Sequence, residues 1–128
     1  MSGRAWVTRA CALSALGWAG LASGAGGAWH YTIGQPRVAQ QANFCDQRRS
    51  IEEIAGIFER FGPQTGYAAL SRSPDCAIAV RSFTPHSILM TVTISKGEPG
   101  EYSVRFVEVK NAGGDTLYLV TTRDVAAQ

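Results

Sequence analysis

The spacing of hydrophobic residues changes near the middle of the chain. Between Ile51 and Leu70, apolar residues recur three and four positions apart, the spacing that places them on one face of a helix. From Cys76 onward, apolar and polar residues alternate, which is the pattern of strands that bury one face. The pattern therefore predicts a helical part followed by a β-rich part.

The helical part is predicted to contain one amphipathic helix and one short helix. The apolar stripe of the first helix consists of Ile51, Ile54, Ala55, Phe58 and Phe61. Asp46 is a possible N-cap, and Ser50 with Glu53 forms the capping-box pattern. The Gly-Pro pair at 62–63 is expected to end this helix, and its proline can begin a second helix over residues 64–71.

The β-rich part is predicted to contain four strands separated by three turns. The strands cover residues 76–83, 88–94, 102–109 and 117–122. The turns, each containing Gly, Pro, Asn or Asp, cover residues 84–87, 96–100 and 111–115. We therefore predict an α+β fold, in which one amphipathic helix plus a short helix pack on a four-stranded antiparallel β-meander.

Two residues interrupt these patterns. Gly56 lies in the middle of the first helix and costs about 1 kcal/mol relative to alanine, which indicates either close approach of another backbone or a tolerated weakness. The alternation also breaks at Phe106-Val107. A β-bulge there would re-aim the strand.

The N-terminal segment has the composition of an export signal. Arg4 and Arg9 precede an uncharged run over residues 10–29, and small residues cluster at 22–28. This layout is typical of a secretory signal peptide. The uncharged run also has the ~20 residues that a membrane-spanning helix needs, so a retained signal anchor is the alternative.

The following residues have no helical period and contain Gly34 and Pro36, so they are expected to form an extended tether. They could include a short edge strand. The predicted organisation is a signal peptide or signal anchor (1–28), a tether (29–44) and a folded domain (45–124).

Charge argues against nucleic acid as the main partner. Of 12 basic residues, Arg4 and Arg9 lie in the N-terminal segment, which leaves the rest of the chain balanced against 10 acidic residues. A neutral domain lacks the clustered positive charge that binds phosphates. Three aromatic residues on the predicted strands, with two arginines nearby, would suit base stacking, but core packing is the preferred interpretation: Tyr102, Phe106 and Tyr118, with Arg81 and Arg105.

The cysteines indicate a disulfide. Cys11 lies in the predicted signal, which leaves Cys45 and Cys76 in the domain. Two cysteines in a small exported domain are best interpreted as one disulfide, and the alternative is two buried free thiols. Closing a loop of about thirty residues would stabilise the fold by roughly 3 to 4 kcal/mol.

Short motifs around these cysteines resemble a group of small exported proteobacterial proteins. The motifs are Asn-Phe-Cys-Asp at 43–46, the amphipathic helix with its Gly-Pro end, and Pro-Asp-Cys-Ala-Ile-Ala-Val at 74–80. The resemblance covers residues 43–84 by motif and the remainder only by pattern. It implies a secreted, disulfide-linked domain, and it carries over no catalytic residue because the group has no assigned activity.

No catalytic, cofactor or metal motif stands out. The histidines, His30 and His86, have no partners at the spacing of a zinc site. His86 precedes Ser87, but neighbours on a strand point to opposite faces, so an exposed turn histidine is the preferred interpretation. The helix glutamates are expected on its solvated side: Glu52, Glu53 and Glu59.

We therefore expect a small exported, non-catalytic binding or interaction domain of the bacterial envelope or periplasm. Its expected partner is a protein, with no nucleic acid and no cofactor, and its oligomeric state is open. The alternative is a membrane-anchored accessory subunit of an envelope complex, located at the inner membrane, which requires residues 10–29 to be retained. An enzyme that uses His86 is a third hypothesis.

Overall fold

The computed structural model describes residues 30–95 and 100–127. The predicted signal peptide or anchor lies outside them. The elements in chain order are β1 His30–Thr32, β2 Arg37–Cys45, α1 Arg48–Phe61, α2 Pro63–Arg72, β3 Cys76–Ser95, β4 Glu101–Asn111, β5 Thr116–Thr121 and β6 Asp124–Ala126. Two helices with a four-stranded antiparallel sheet confirm the α+β prediction. Among these residues, no helix is long and apolar enough to cross a membrane.

The four-stranded sheet closes on itself. The strands pair antiparallel in the order β2-β3-β4-β5, and β2 also pairs with β5. The strand that closes the ring therefore precedes both helices in sequence. β1 and β6 form a separate two-stranded sheet.

The expected tether is corrected by the structure, because residues 37–45 form β2. Ala42 and Phe44 point into a core, while Gln41 is exposed on the other face. A register irregularity between Arg37 and Gln40 shifts the alternation at the start of the strand. This shift, together with the polar residues on the outer face, hides the strand pattern in the sequence.

The predicted turn at 84–87 is wrong, because β3 runs without interruption from Cys76 to Ser95. Pro85 is buried at a register irregularity between Pro85 and Ser87. A proline has no N–H to donate, so it is tolerated within a sheet at a bulge. Its carbonyl accepts a hydrogen bond from the Gly34 N–H at 2.9 Å, which attaches the loop after β1 to β3.

The predicted bulge at Phe106-Val107 is also placed differently. The extra residues lie on β3, since Ile88 pairs with Val107 and Met90 pairs with Phe106. β4 has consecutive apolar residues because both of its faces are buried. Phe106 packs on the helix side of the sheet, and Val107 packs on the other side.

The ends of α1 only partly match the sequence prediction. Gln47 is the N-cap residue and makes no side-chain capping bond, and the Ser50 hydroxyl donates to the Asp75 carboxylate instead. The predicted capping box of Ser50 and Glu53 is therefore wrong. Gly62, with φ 90°, ends the helix and donates to the Phe58 carbonyl at 3.0 Å, and Pro63 begins α2 as predicted.

The helices and the sheet enclose the larger of two apolar cores. Phe58 of α1 is 1% exposed and contacts Tyr67 and Phe106 edge to face, with ring centroids 4.8 and 5.4 Å apart. Other members of this core are Ile51, Ile54, Leu70, Val92, Ile94, Val104 and Val120. The second core lies on the other face and contains Tyr31, Phe44, Phe83, Val107, Val109 and Leu119.

Of the two interpretations of Gly56, the structure supports a tolerated weakness, and a close approach occurs at Gly66 of α2 instead. A Cβ atom added at Gly66 would lie 2.4 Å from a carbon atom of the Phe58 ring. At Gly56, the nearest atom is the Arg60 Nη2, 3.8 Å away. Gly66 therefore allows α2 to lie directly on the aromatic centre of the core.

Candidate interaction surface

The disulfide between Cys45 and Cys76 is confirmed. The two residues face each other across β2 and β3, with their Cα atoms 4.0 Å apart. The bond joins the end of β2 to the start of β3 and closes the segment that contains both helices. The side chain of Cys45 is buried in the helix-side core. The cysteines therefore form a structural link between the two strands.

A second link beside the disulfide joins the loop before β3 to α1. The Asp46 N–H donates to the Asp75 carbonyl at 3.0 Å, and the Ser50 hydroxyl donates to the Asp75 side chain. The Asp75 N–H is within 3.3 Å of the Ser73 hydroxyl oxygen. Asp46 and Asp75, the acidic residues nearest the cysteines, therefore attach the loop between α2 and β3 to the start of α1.

The structure places the candidate chemical residues of the sequence on β3 and α1. His86 is exposed at the irregular part of β3, and Ser87 follows it on the same strand. No group of three or more potential metal ligands occurs among residues 30–95 and 100–127. The glutamates of α1 are exposed, as expected: Glu52, Glu53 and Glu59.

Among the residues that the structure describes, two groups have shifted pKa values, and both shifts have structural causes. Partial burial against the helix-side core raises the pKa of Tyr67 above its ordinary value, and the nearby Tyr102 adds to the increase. The pKa of Arg48 is raised by its hydrogen bond to Glu52, with an N–O distance of 3.0 Å.

Arginines surround the buried Tyr31 where β1, β2 and β6 meet. The guanidinium carbons of Arg37 and Arg123 lie 4.9 and 5.3 Å from the centre of its ring. Both guanidinium groups donate to the side-chain oxygen of Gln40, each at 3.2 Å. Arg105 pairs with Asp124 at 3.1 Å. These contacts attach the small sheet to the larger one.

Core packing is confirmed for two of the aromatic residues considered for base stacking. Phe106 and Tyr118 are 1% and 9% exposed, within the helix-side core. Their ring faces contact protein and cannot form an exposed stacking surface.

The start of β3 carries exposed aliphatic side chains. Ile78 and Val80 are 66% and 62% exposed, and both point to the same face as Cys76 because strand residues alternate. Their register partners on β2 are Asn43 and Gln41. These four residues, Gln41, Asn43, Ile78 and Val80, form the β2–β3 patch. Residue spacing predicted that Ile78 and Val80 share a face, but it did not reveal that the helices leave this face uncovered.

The second half of β3 presents an edge. β3 pairs with β2 only as far as Phe83, and with β4 only from Phe83 to Ser95. Among the strands that the structure describes, none pairs with the other edge of Met90–Ser95. A groove of about 300 Å³ between this part of β3 and α1 is lined by Arg48, Ile51, Glu52, Ala55, Leu89, Met90 and Phe106.

Comparison with protein families, with curated proteins and with solved structures finds no match to this chain. The resemblance of residues 43–84 to small exported proteobacterial proteins therefore stays a prediction.

Proposed function

We propose that this protein is a non-catalytic interaction domain that binds another protein outside the reducing cytoplasm, in the periplasm or beyond. The observation that carries the proposal is the β2–β3 patch, whose aliphatic side chains are exposed on strands joined by a disulfide. The disulfide supports the location, because such bonds persist in oxidising compartments and are rare in the cytosol.

The composition of the patch suits a protein partner. Exposed apolar residues in a cluster mark interaction sites, whereas single exposed residues are common. Ile78 and Val80 are two positions apart on one face of β3, so their side chains are about 7 Å apart. The amide side chains of Gln41 and Asn43 face them from β2 and offer donors and acceptors. This mixture of apolar and hydrogen-bonding groups matches a protein interface better than a lipid surface.

The patch is also held in place before binding. The register pair Asn43–Ile78 is two residues from the disulfide pair Cys45–Cys76. A surface that is already ordered loses less conformational entropy when a partner binds. The covalent link therefore supports binding at this patch.

Site-specific photocrosslinking in the native cell tests the proposal. A photoreactive residue in place of Ile78 is expected to give one discrete protein adduct. The matched control carries the same residue at Phe61, which is 64% exposed at the end of α1 and distant in sequence from the patch. Val80→Ser should remove the adduct formed at position 78.

The same adducts from positions 78 and 61 would contradict the proposal. So would the absence of any adduct from position 78 in a variant whose disulfide is intact. Preservation of the disulfide and of the circular dichroism spectrum shows that each variant is folded.

The alternative is an accessory subunit anchored in the inner membrane. It is motivated by the uncharged run over residues 10–29. N-terminal sequencing of the protein isolated from its native cell separates the two proposals. A mature N-terminus near Gly26 or Trp29 would overturn the anchored form, and an intact N-terminal segment in the membrane fraction would support it.

A further inference from the structure

We propose that two copies of this chain pair antiparallel along the outer edge of Met90–Ser95, so that their sheets join across a twofold axis. This edge is distinct from the β2–β3 patch. The inference is therefore independent of the proposed binding of another protein.

The edge is regular over this stretch. Each residue from Met90 to Ser95 has a consecutive partner on β4, from Phe106 to Glu101, and the irregularities of β3 end before Met90. The stretch has the usual length of a strand, about 5–6 residues. A straight edge of this length presents a row of backbone N–H and C=O groups to a neighbouring strand.

The edge lacks the features that normally prevent pairing. Its sequence is Met-Thr-Val-Thr-Ile-Ser, without charge, proline or glycine, and four of these residues are β-branched. Monomeric proteins protect such edges with charged residues, prolines or bulges. In this chain the bulges and the proline precede the regular stretch.

The sequence is complementary to itself in an antiparallel arrangement. Met90, Val92 and Ile94 point to the helix side, and Thr91 and Thr93 point to the other side. If Val92 faces Val92 of the second copy, Met90 faces Ile94 and Thr91 faces Thr93. Aliphatic pairs then form on one face and threonine pairs on the other, and both kinds stabilise a sheet. No like charges meet, so a second copy is the occupant that the edge suits.

The adjacent groove supports the same arrangement. Leu89 and Met90 form its β3 side, and Ile51 and Ala55 form its α1 side. Met90 is 36% exposed there. A second copy would bring its Ile94 opposite Met90, at the mouth of this apolar groove. Pairing would therefore extend the helix-side core of each copy.

Sedimentation velocity of the protein isolated from its native cell tests the inference. The unmodified protein is expected to sediment as a dimer. Thr91→Lys with Thr93→Lys places lysines opposite each other twice in the dimer, so the dissociation constant should rise at least about tenfold. Both threonines are exposed, so the fold of one copy should be preserved. The control is Thr65→Lys, an exposed position on α2.

A second variant, with negative charges at the same two positions, tests directly whether these positions face each other in the dimer. Thr91→Glu with Thr93→Glu should also be monomeric alone. A mixture of the lysine and glutamate variants should form a one-to-one dimer, since each lysine then faces a glutamate. A monomeric unmodified protein, or a dimer that the double lysine variant leaves unchanged, would overturn the inference.

Discussion

Replacing Gly66 with alanine adds one methyl group where α2 meets α1. The new Cβ would lie 2.4, 2.5 and 2.7 Å from three carbon atoms of the Phe58 ring. Ordinary van der Waals contacts between carbon atoms are about 3.5–4.0 Å. The ring cannot easily move away, because it is 1% exposed and packs against Tyr67 and Phe106. Either the ring or α2 must therefore shift.

The magnitude follows from two opposing effects. Overpacking a filled core costs about 1–3 kcal/mol, and three short contacts place this substitution near the upper end. Alanine in a helix gains about 1 kcal/mol over glycine. We therefore expect Gly66→Ala to lower the free energy of unfolding by about 2 kcal/mol, which corresponds to roughly 10 °C in Tm for a domain of this size.

Gly56→Ala is the matched control, because it makes the same chemical change in α1. The added Cβ would meet only the Arg60 guanidinium, at 3.8 Å. This variant should raise the free energy of unfolding by about 0.5–1 kcal/mol. Urea denaturation followed by circular dichroism, with the disulfide intact, measures both variants.

A double variant isolates the contact itself. Phe58→Leu removes the aromatic ring that the new methyl group would strike. Adding Gly66→Ala to Phe58→Leu should therefore cost much less than adding it to the unmodified protein, a positive coupling that a double-mutant cycle measures. A Gly66→Ala protein as stable as the unmodified one would refute the packing described for α2.

Three further predictions concern the disulfide, β2 and Tyr67. Replacing both Cys45 and Cys76 with alanine should lower the free energy of unfolding, measured in urea, by about 3 to 4 kcal/mol, as expected for a disulfide that closes a loop of 31 residues. An unchanged free energy of unfolding would contradict the structural role of the disulfide. Ala39 has φ 52°, a conformation that glycine adopts more easily, so Ala39→Gly should leave the free energy of unfolding unchanged or raise it. Ala77 is the control, an exposed residue on a regular part of β3, where Ala77→Gly should lower the free energy of unfolding by about 0.5–1 kcal/mol. Equal losses at both alanines would refute the strained backbone. The pKa of Tyr67 is raised on folding. The contribution of Tyr67 to the free energy of unfolding is therefore complete below the ordinary tyrosine pKa near 10, and it is lost as the pH rises through the pKa of Tyr67 in the folded protein. Tyr67→Phe should therefore flatten the fall in urea stability above about pH 10, and an unchanged slope would contradict the shift.

Local sequence signals predicted the parts of the fold that local chemistry decides. The Gly-Pro pair at 62–63 ends α1 and begins α2, because glycine accepts a positive φ and proline suits a first helical turn. The loop at 111–115 is also confirmed, where Gly114, with φ 87°, donates to the Asn111 carbonyl at 2.9 Å. The alternating apolar residues also predicted the strand structure of β3 to β5, although two of the predicted strands form the single strand β3.

Features that depend on distant contacts were missed. Pro85 reads as a turn residue, but a bulge and the hydrogen bond from Gly34 keep it within a continuous strand. Ser50 has the spacing of a capping residue, yet its hydroxyl donates a hydrogen bond to Asp75, at the other end of the segment that the disulfide closes. β2 carries no clear local strand signal, because its partners, β3 and β5, lie far along the chain.

The candidate surface was only partly predictable for the same reason. Strand alternation places Ile78 and Val80 on one face, but the sequence does not state which parts of that face the helices cover. Similarly, hydrophobic residues from Met90 to Ser95 predict a strand without revealing that one of its edges has no described partner.

Mass spectrometry of the protein isolated from its native cell, without reduction, tests the central claim most directly. The claim is that a disulfide-linked domain works outside the reducing cytoplasm. The account predicts a chain that lacks the N-terminal segment, resists alkylation at Cys45 and Cys76, and yields a peptide pair joined through these residues. A chain whose two cysteines are both alkylated without prior reduction would contradict it.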